Sequence, residues 1–288
     1  MKKQHKVSKM KKSTKIKIIQ YAVLVTTALF MAFPIYWIFS NSLKTLNGIS
    51  QYPPELFPSN PQFQNYLTVL KDSNTLIYFR NTIILIIGNT VGTLVSSSLV
   101  AYPLSRMNFK GKKLIFAIIL ATMMVPTVTT VIPQFIIFRQ LGWLDSFLPL
   151  IVPSFFAFPY NVFLFRQFFM TIPKSIDESA MIDGCNRWQI FIKVLVPIAK
   201  PIFITVGVLS AVYWWNELFT PLIFIDSDNL KPLTIGALSS FKVAGATNVT
   251  AWNLQMAMAM IMAIPPMILY LFASRYLVEG IKTSGLKD

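Results

Sequence analysis

Long apolar stretches constrain the fold of this chain more than any other feature of its sequence. Of its 288 residues, 54% are hydrophobic and only 13% are charged, which is about half the charged share of a soluble domain. The apolar residues are concentrated in six stretches, at residues 18–40, 79–104, 114–138, 146–169, 202–225 and 254–277. A bilayer core about 30 Å thick is crossed by roughly 20 helical residues. The sequence therefore predicts an all-α integral membrane protein with six transmembrane helices.

The basic residues indicate how these helices are oriented. Eight lysines lie in a tail at residues 1–17, and the transmembrane domain follows at 18–288. If the N-terminus is cytoplasmic, twenty of the 26 Lys and Arg residues lie in cytoplasmic segments and six lie outside. Because cytoplasmic loops carry the excess of positive charge, both termini, including a C-terminal tail at 278–288, are predicted to be cytoplasmic. We interpret the basic tail as a solvated segment beside membrane lipid, and not as a site for nucleic acid.

Cysteine and histidine are too scarce for most kinds of catalytic site. The chain has one cysteine, Cys185, and one histidine, His5, which lies in the basic tail. Neither a Cys/His metal site nor a catalytic triad that uses histidine fits this composition. The phosphate-binding pattern G-x-x-x-x-G-K-[ST] does not occur either. The sequence therefore predicts a protein that is not an enzyme and uses no metal or cofactor, so that any ATP hydrolysis driving it belongs to another chain.

A polar segment at residues 170–201 separates the fourth and fifth apolar stretches. Ser175 and Glu178 have the spacing of a capping box, which predicts a short helix with Ser175 as its N-cap. Gly184 is predicted to stop this helix in a left-handed conformation. A second helix is predicted to present one apolar stripe at helical spacing, formed by Trp188, Phe191, Ile192 and Leu195. Two interpretations stay open: the stripe docks on a partner, or it packs against the chain's own helices.

The same segment resembles the EAA–G–P motif of binding-protein-dependent ABC importer permeases. The residues that match the motif are Glu178, Ser179, Ala180, Asp183, Gly184 and Pro197. Ser179 departs from the usual alanine, although serine is also small. In that family the motif forms coupling helices that dock in a cleft of the ATPase subunit. The resemblance therefore implies that these six residues couple the chain to a separate ATPase, and we call residues 170–201 the coupling segment.

The resemblance covers nearly the whole chain and extends to the carbohydrate branch of the family, the maltose-type permeases. It implies an ABC type-1-like core at about 79–277. Shorter motifs that match this branch are Ser42-Leu43-Lys44-Thr45, Pro53-Pro54, Ala101-Tyr102, Ser105-Arg106, Met124-Val125-Pro126, Arg166-Gln167-Phe168-Phe169 and Trp215-Asn216-Glu217-Leu218. Each match is weak alone, but together they occur in the order and at the spacing of the branch.

The resemblance to this branch implies a function and a set of partners. The partners are a homologous second permease, two ATP-binding cassette subunits and an extracellular sugar-binding protein, assembled in the bacterial plasma membrane. The implied function is ATP-driven sugar import by alternating access, and glycerol phosphate is an alternative solute. Two alternatives come from other classes. A membrane-embedded enzyme, such as a lipid-modifying transferase, would need a buried histidine or a thiol in a span, and the apolar stretches contain neither. An ion-coupled secondary transporter places several ionisable residues at the membrane midplane. Here Glu217 is the only carboxylate well inside an apolar stretch.

Glu217 and its neighbours Asn216 and Trp215 are the residues predicted to line the transport pathway. A charge inside the bilayer is costly and usually functional, so Glu217 is a candidate for contact with a sugar or for holding a gate. The alternative interpretation is that Glu217 lies near the outer interface or fixes helix packing with Asn216. Trp215 either stacks on a sugar ring or packs in the core.

Small residues recur every fourth position in the second apolar stretch. Gly88, Gly92 and Ser96 form a ridge of the small-xxx-small type. Because such ridges let two membrane helices approach closely, we interpret these three residues as structural.

Overall fold

The computed structural model describes residues 2–239, 241 and 250–285, with side chains placed over 16–72, 74–238, 241 and 250–274. Residues 286–288 of the predicted C-terminal tail lie outside the described residues. So does Lys242, one of the six basic residues that the predicted orientation places outside.

Helices make up the regular structure of the described residues. The α-helices are α1 (Lys2–Ser42), α2 (Leu46–Ile49), α3 (Gln64–Lys71), α4 (Ser73–Arg106), α5 (Lys112–Thr122), α6 (Thr127–Gln140), α7 (Leu148–Ile151), α8 (Pro159–Thr171), α9 (Lys174–Ile182), α10 (Arg187–Gln189), α11 (Val196–Ile198), α12 (Lys200–Asn216), α13 (Phe219–Phe224), α14 (Leu233–Ser239) and α15 (Trp252–Gly285). Two short 3₁₀ helices, Val152–Phe156 and Asp228–Leu230, and a π-helix, Ile190–Leu195, complete the set.

Four helical segments are long and apolar enough to cross a membrane as single spans. They are Ile16–Ser42, Asn74–Arg106, Leu148–Thr171 and Trp252–Ser274. Two further pairs are bent at a short break, α5 with α6 by 94° and Arg187–Ile198 with α12 by 77°. The described residues therefore contain four spans, or six if each bent pair counts as one. The predicted all-α membrane fold is confirmed at this level.

Two of the six predicted stretches are bent pairs of helices, so the number of spans that the described residues support lies between four and six. The stretch at 114–138 breaks where α5 ends at Thr122, and Pro126 is the N-cap of α6 with ψ of 131°. Proline lacks the N–H that a helix interior needs and disfavours helical conformation in the residue before it. The stretch at 202–225 breaks after Asn216, where Glu217 is extended.

The chain divides into two compact units. The first comprises residues 1–71 and 241–262, and the second comprises 72–240 and 263–288. In the first unit, α1 carries the first apolar span, and the segment after it folds into α2, a proline-rich loop and α3.

The core of the second unit is built from α4, α8 and α12. Phe165 and Phe169 of α8 are completely buried, together with Ala101 of α4 and Val206 of α12. The Phe165 ring meets the Phe203 ring edge to face, with 4.7 Å between their centroids. Because lipid tails are as apolar as these side chains, close van der Waals packing is what favours this contact in a membrane.

The small-residue ridge on α4 lies against the 3₁₀ helix Val152–Phe156, as predicted. Ser96 Oγ donates a hydrogen bond to the Ser154 carbonyl at 2.9 Å and accepts one from the Ala157 N–H. A Cβ atom added at Gly92 would lie 2.2 Å from Ser154 Oγ. The absence of a side chain at Gly92 therefore permits the close approach of the two backbones.

Hydrogen bonds join several connecting segments at the end of the second unit where α4 begins. The Asn81 amide donates to the Asn229 carbonyl at 2.8 Å and to the Lys231 carbonyl at 3.0 Å. Asp145 accepts from the N–H groups of Asp226 and Ser227 at 3.1 and 2.9 Å. These bonds place the start of α4, the turn after α6 and the segment after α13 together.

Candidate functional site

The first helix of the coupling segment begins two residues earlier than the sequence predicts. Its N-cap is Pro173, which has no side-chain cap, and Lys174 is already helical. The predicted capping box of Ser175 and Glu178 is therefore wrong, because Ser175 lies inside the helix. Ile172 is extended, as is typical of a residue before proline, and the chain enters the helix directly after Pro173.

The end of this helix confirms the predicted left-handed glycine. Gly184 has φ of 83°, and its N–H donates to the Met181 carbonyl at 3.1 Å. The Cys185 N–H donates to the Ala180 carbonyl at 3.0 Å, which completes a Schellman motif. A Cβ added at Gly184 would meet nothing within 4 Å, so the backbone conformation, and not space, is what favours glycine here.

The capping box of the coupling segment lies at the second helix, where sequence reasoning missed it. The Asn186 side chain accepts from the Gln189 N–H at 2.9 Å, and the Gln189 side chain accepts from the Asn186 N–H at 2.9 Å. Asn186-Arg187-Trp188-Gln189 has the spacing of a box with asparagine in place of serine, and that pattern was the available signal.

A π-helix then divides the predicted apolar stripe. It spans Ile190–Leu195 and so shifts the register of the following residues. Phe191 and Leu195 are buried in the core of the second unit, whereas Trp188 and Ile192 are 58% and 46% exposed. Two residues of the stripe therefore pack against the chain's own helices, and two face outward, where docking on a partner stays a prediction.

An ion pair ties the coupling segment to the end of α4. Asp177 Oδ2 lies 3.5 Å from Arg106 Nε, and the two side chains are 14% and 3% exposed. Arg106 Nη1 also donates to the Ile172 carbonyl at 2.8 Å. Burial raises the pKa of the Asp177 carboxyl, an effect that Arg106 opposes and Glu178 reinforces. Sequence reasoning noted Arg106 only as a basic residue and part of a motif, because the fold alone brings it to Asp177.

Aromatic contacts tie the second helix to the same end of α4. The Tyr102 hydroxyl donates to the Arg187 carbonyl at 3.0 Å, and its ring lies 5.0 Å from the Phe191 ring. Both short helices of the coupling segment are thus fastened to α4 by side chains.

The opposite face of the coupling segment is exposed. Of the six residues that match the motif, Ala180 is buried, and the others are exposed: Glu178, Ser179, Asp183, Gly184 and Pro197. Ile182 beside them is 86% exposed. The arrangement therefore offers an acidic and apolar surface on a base that is fixed to the helices of the second unit.

The three predicted pathway residues do not share one environment. Glu217 lies in the break between α12 and α13, where its carboxylate accepts from the N–H of Thr220 at 2.8 Å and from the Thr220 hydroxyl. Asn216 is exposed and donates to the Val212 carbonyl of its own helix at 2.8 Å. Trp215 is 3% exposed and packs edge to face against Phe79. Asn216 is thus open to a neighbour, while Trp215 is a core residue.

Tyr213 is a further candidate that sequence reasoning missed. It is exposed, and it lies three residues before Asn216 on α12, so the two side chains share one helical face. A tyrosine and an asparagine three residues apart in an apolar stretch were the available signal.

Comparisons with known proteins identify the family of the chain. Residues 88–283 match the family model described as "Binding-protein-dependent transport system inner membrane component". The chain is 31% identical to the sulfoquinovosyl glycerol transport system permease protein SmoH of Agrobacterium fabrum. The match extends over 273 residues, which are 94% of this chain and 93% of that protein. The chain is also 31% identical over 265 residues to the arabinooligosaccharides transport system permease protein AraQ of Bacillus subtilis, covering 90% and 92% of the two chains.

A solved structure with a similar level of sequence identity shares the fold. It belongs to a bacterial ABC transporter involved in the import of the acidic polysaccharide alginate, and it matches with a TM-score of 0.81 and 27% identity over 91% of this chain and 96% of that one. The family model alone covers more than half of the chain. The chain belongs to the family of inner membrane components of binding-protein-dependent transport systems.

Proposed function

We propose that this chain is the transmembrane permease subunit of an ATP-driven sugar importer, and that its coupling segment transmits the motion of a separate ATPase to the transport pathway. The observation that carries the proposal is the two-faced coupling segment. One face is buried and tied to α4, and the other exposes Glu178, Ser179 and Ile182. The sugar class is supported by the relatives, whose names refer to sulfoquinovosyl glycerol, arabinooligosaccharides and alginate.

The connections of the coupling segment give a route for mechanical coupling. A displacement of α9 reaches α4 through Arg106 and Asp177, which are in contact. A displacement of the second helix reaches α12 through the chain itself, since only Ala199 separates α11 from α12. At 1.5 Å per residue, the 17 residues of α12 span about 25 Å, which leads from the coupling segment to Asn216 and Glu217. We therefore assign Asn216 and Glu217, but not the buried Trp215, to the pathway.

The same arrangement supports a proposed orientation and a proposed set of partners. The coupling segment would face the cytoplasm, where basic residues are concentrated, and both termini would lie on that side. Two ATP-binding cassette subunits would bind there, an extracellular sugar-binding protein would deliver the sugar at the other side, and a homologous second permease would complete the pathway in a bacterial plasma membrane.

Charge reversal at the exposed acid of the coupling segment tests the proposal. We expect Glu178→Lys to weaken the association with the ATPase, because a lysine would replace the carboxylate at the centre of the exposed face. The measurement is co-purification of the ATPase with the tagged permease, followed by ATP-dependent sugar uptake into vesicles supplied with the binding protein. Both signals should fall by about tenfold or more, which corresponds to a loss of roughly 1.4 kcal/mol.

Asp226→Lys provides the matched control. Asp226 is also exposed and acidic, but it lies at the opposite end of the second unit, beside Asp145. The control should co-purify with the ATPase as the unmodified chain does. If Glu178→Lys inserts in the membrane and retains both full assembly and full uptake, the coupling segment does not dock through this face, and the proposal fails.

A further inference from the structure

A proline-rich loop in the first unit exposes large apolar side chains. The loop covers residues 50–63, and its exposed apolar residues are Tyr52, Leu56, Phe57 and Phe63. Phe57 is 75% exposed. Between Lys44 and Lys71 the sequence has a single charged residue, Glu55. We call residues 50–63 the apolar loop.

The apolar loop folds back onto α1. The Leu56 carbonyl accepts hydrogen bonds from the Tyr36 hydroxyl at 2.6 Å and from Ser40 Oγ at 2.7 Å. The Phe57 ring meets the Tyr36 ring edge to face, with 5.7 Å between the centroids. Because Tyr36 and Ser40 are one helical turn apart, these contacts fix the height of Leu56 and Phe57 along α1.

That height lies inside the apolar span. The span runs Ile16–Ser42, and Tyr36 precedes its last residue by six positions, or about 9 Å at 1.5 Å per residue. Segments that lie in a membrane interface insert their apolar side chains about 5–10 Å into the boundary between headgroups and acyl chains. The Phe57 ring is thus at the depth at which an interfacial segment is stable.

A buried lysine holds the base of the loop in this position. Lys44 is 3% exposed, and its Nζ donates to Asn41 Oδ1 at 2.9 Å and to the Glu55 carbonyl at 2.6 Å. The same Nζ lies 4.9 Å from the centre of the Trp37 ring. Since residues 45–70 include no lysine or arginine, the exposed surface of the loop itself carries no charge other than that of Glu55.

We propose that the apolar loop lies in the membrane interface, with Leu56 and Phe57 inserted at the boundary between the lipid headgroups and the acyl chains. The partner is the lipid surface, and the loop anchors the end of α1 opposite to the N-terminal tail. Three observations favour lipid over a protein partner: the depth fixed by Tyr36, the lack of charge, and the aromatic composition that is typical of membrane interfaces.

Spin labelling at single cysteines tests the depth of the loop. The native thiol is removed by Cys185→Ser, and a nitroxide is attached after Phe57→Cys, Leu56→Cys or Asn60→Cys. Each full-length chain, with its co-purifying partners, is reconstituted in vesicles of phosphatidylcholine and phosphatidylglycerol. The collision rate of the nitroxide is measured with oxygen, which concentrates in lipid, and with a water-soluble nickel chelate.

We expect oxygen collisions to exceed nickel collisions several-fold at positions 56 and 57, and the ratio to reverse at Asn60, which is polar and exposed. Dominant nickel collisions at position 57 would place the loop in water. Low collision rates with both reagents at positions 56 and 57 would mean that a protein covers the loop. Either result overturns the proposal, and neither depends on which solute the protein transports.

Discussion

Arg106 is the residue on which the attachment of the coupling segment depends most. It is the less exposed partner of the ion pair and also holds the Ile172 carbonyl. Burial raises the pKa of the Asp177 carboxyl, so the fold favours its charged form less strongly than water does. We therefore expect Arg106→Gln to cost about 3 kcal/mol, as the removal of one partner from a buried pair does. Asp177→Asn should cost less, because the Arg106 guanidinium loses its counter-ion but keeps its hydrogen bond to the Ile172 carbonyl.

Thermal stability is measured as the temperature at which half of the purified chain, in detergent, no longer elutes at the volume of the native protein. The double variant Arg106→Gln/Asp177→Asn should be more stable than Arg106→Gln alone, since it leaves no unpaired carboxylate. Without Arg106, the pKa of Asp177 rises further above 3.8. The folded variant then holds this proton more tightly than the unfolded chain does. The defect of Arg106→Gln should therefore grow as the pH rises from the pKa of Asp177 in the unmodified fold, which already lies above 3.8, to its higher pKa in the variant. Equal defects for Arg106→Gln and Asp177→Asn would contradict this assignment.

At the scale of elements, the contact between α4 and the 3₁₀ helix Val152–Phe156 depends on Gly92. A methyl group there would lie 2.2 Å from Ser154 Oγ and 2.9 Å from the Phe155 ring. We expect Gly92→Ala to destabilise the chain by about 1–3 kcal/mol, which is typical of overpacking. Gly207→Ala on α12 is the control, because its nearest neighbours would be 3.7 and 3.8 Å away. Thermal unfolding in detergent separates the two, and a Gly92→Ala chain as stable as Gly207→Ala would refute the close contact.

Sequence patterns predicted some elements well and others poorly, for physical reasons. The small-residue ridge and the left-handed Gly184 were predictable because each depends on a local property of glycine. The bends at Pro126 and after Asn216 were not, since proline and polar residues are also tolerated inside continuous membrane helices. The capping box was assigned to Ser175 although Asn186 forms it, because Pro173 starts α9 before serine can act as a cap.

Part of the candidate site was also predictable from the sequence. The motif located the exposed residues of the coupling segment, because an unusually polar segment stands out between apolar stretches. Its attachment to α4 was not predictable, since Arg106 and Asp177 are 71 residues apart and only the packing of α4 beside α8 brings them together. Trp215 was assigned to the pathway by composition, whereas its burial depends on the direction in which α12 faces Phe79.

For the second unit as a whole, contacts at its two ends bear on the number of membrane crossings. The turn around Asp145 and the segment at Asp226 meet at one end, and Arg106, Ile172 and Asp177 meet at the other. The chain passes from Arg106 to Asp145 through α5 and α6, and from Asp177 to Asp226 through the coupling segment and α12. This arrangement predicts that each bent pair crosses the membrane, which would give six spans, and the proposed orientation would place the Asp226 end outside.

Accessibility of single thiols to a membrane-impermeant maleimide tests this arrangement. In a Cys185→Ser background, Gln140→Cys and Asp226→Cys should react in intact cells, because both follow an odd number of crossings from a cytoplasmic N-terminus. Lys110→Cys, which follows two crossings, should react only in inside-out vesicles. All three residues are exposed, so a difference in labelling reports the side of the membrane and not burial. If Gln140→Cys and Lys110→Cys react from the same side, α5 and α6 form a re-entrant pair and not a span. If the whole pattern is reversed, the coupling segment lies outside, where no ATPase can reach it.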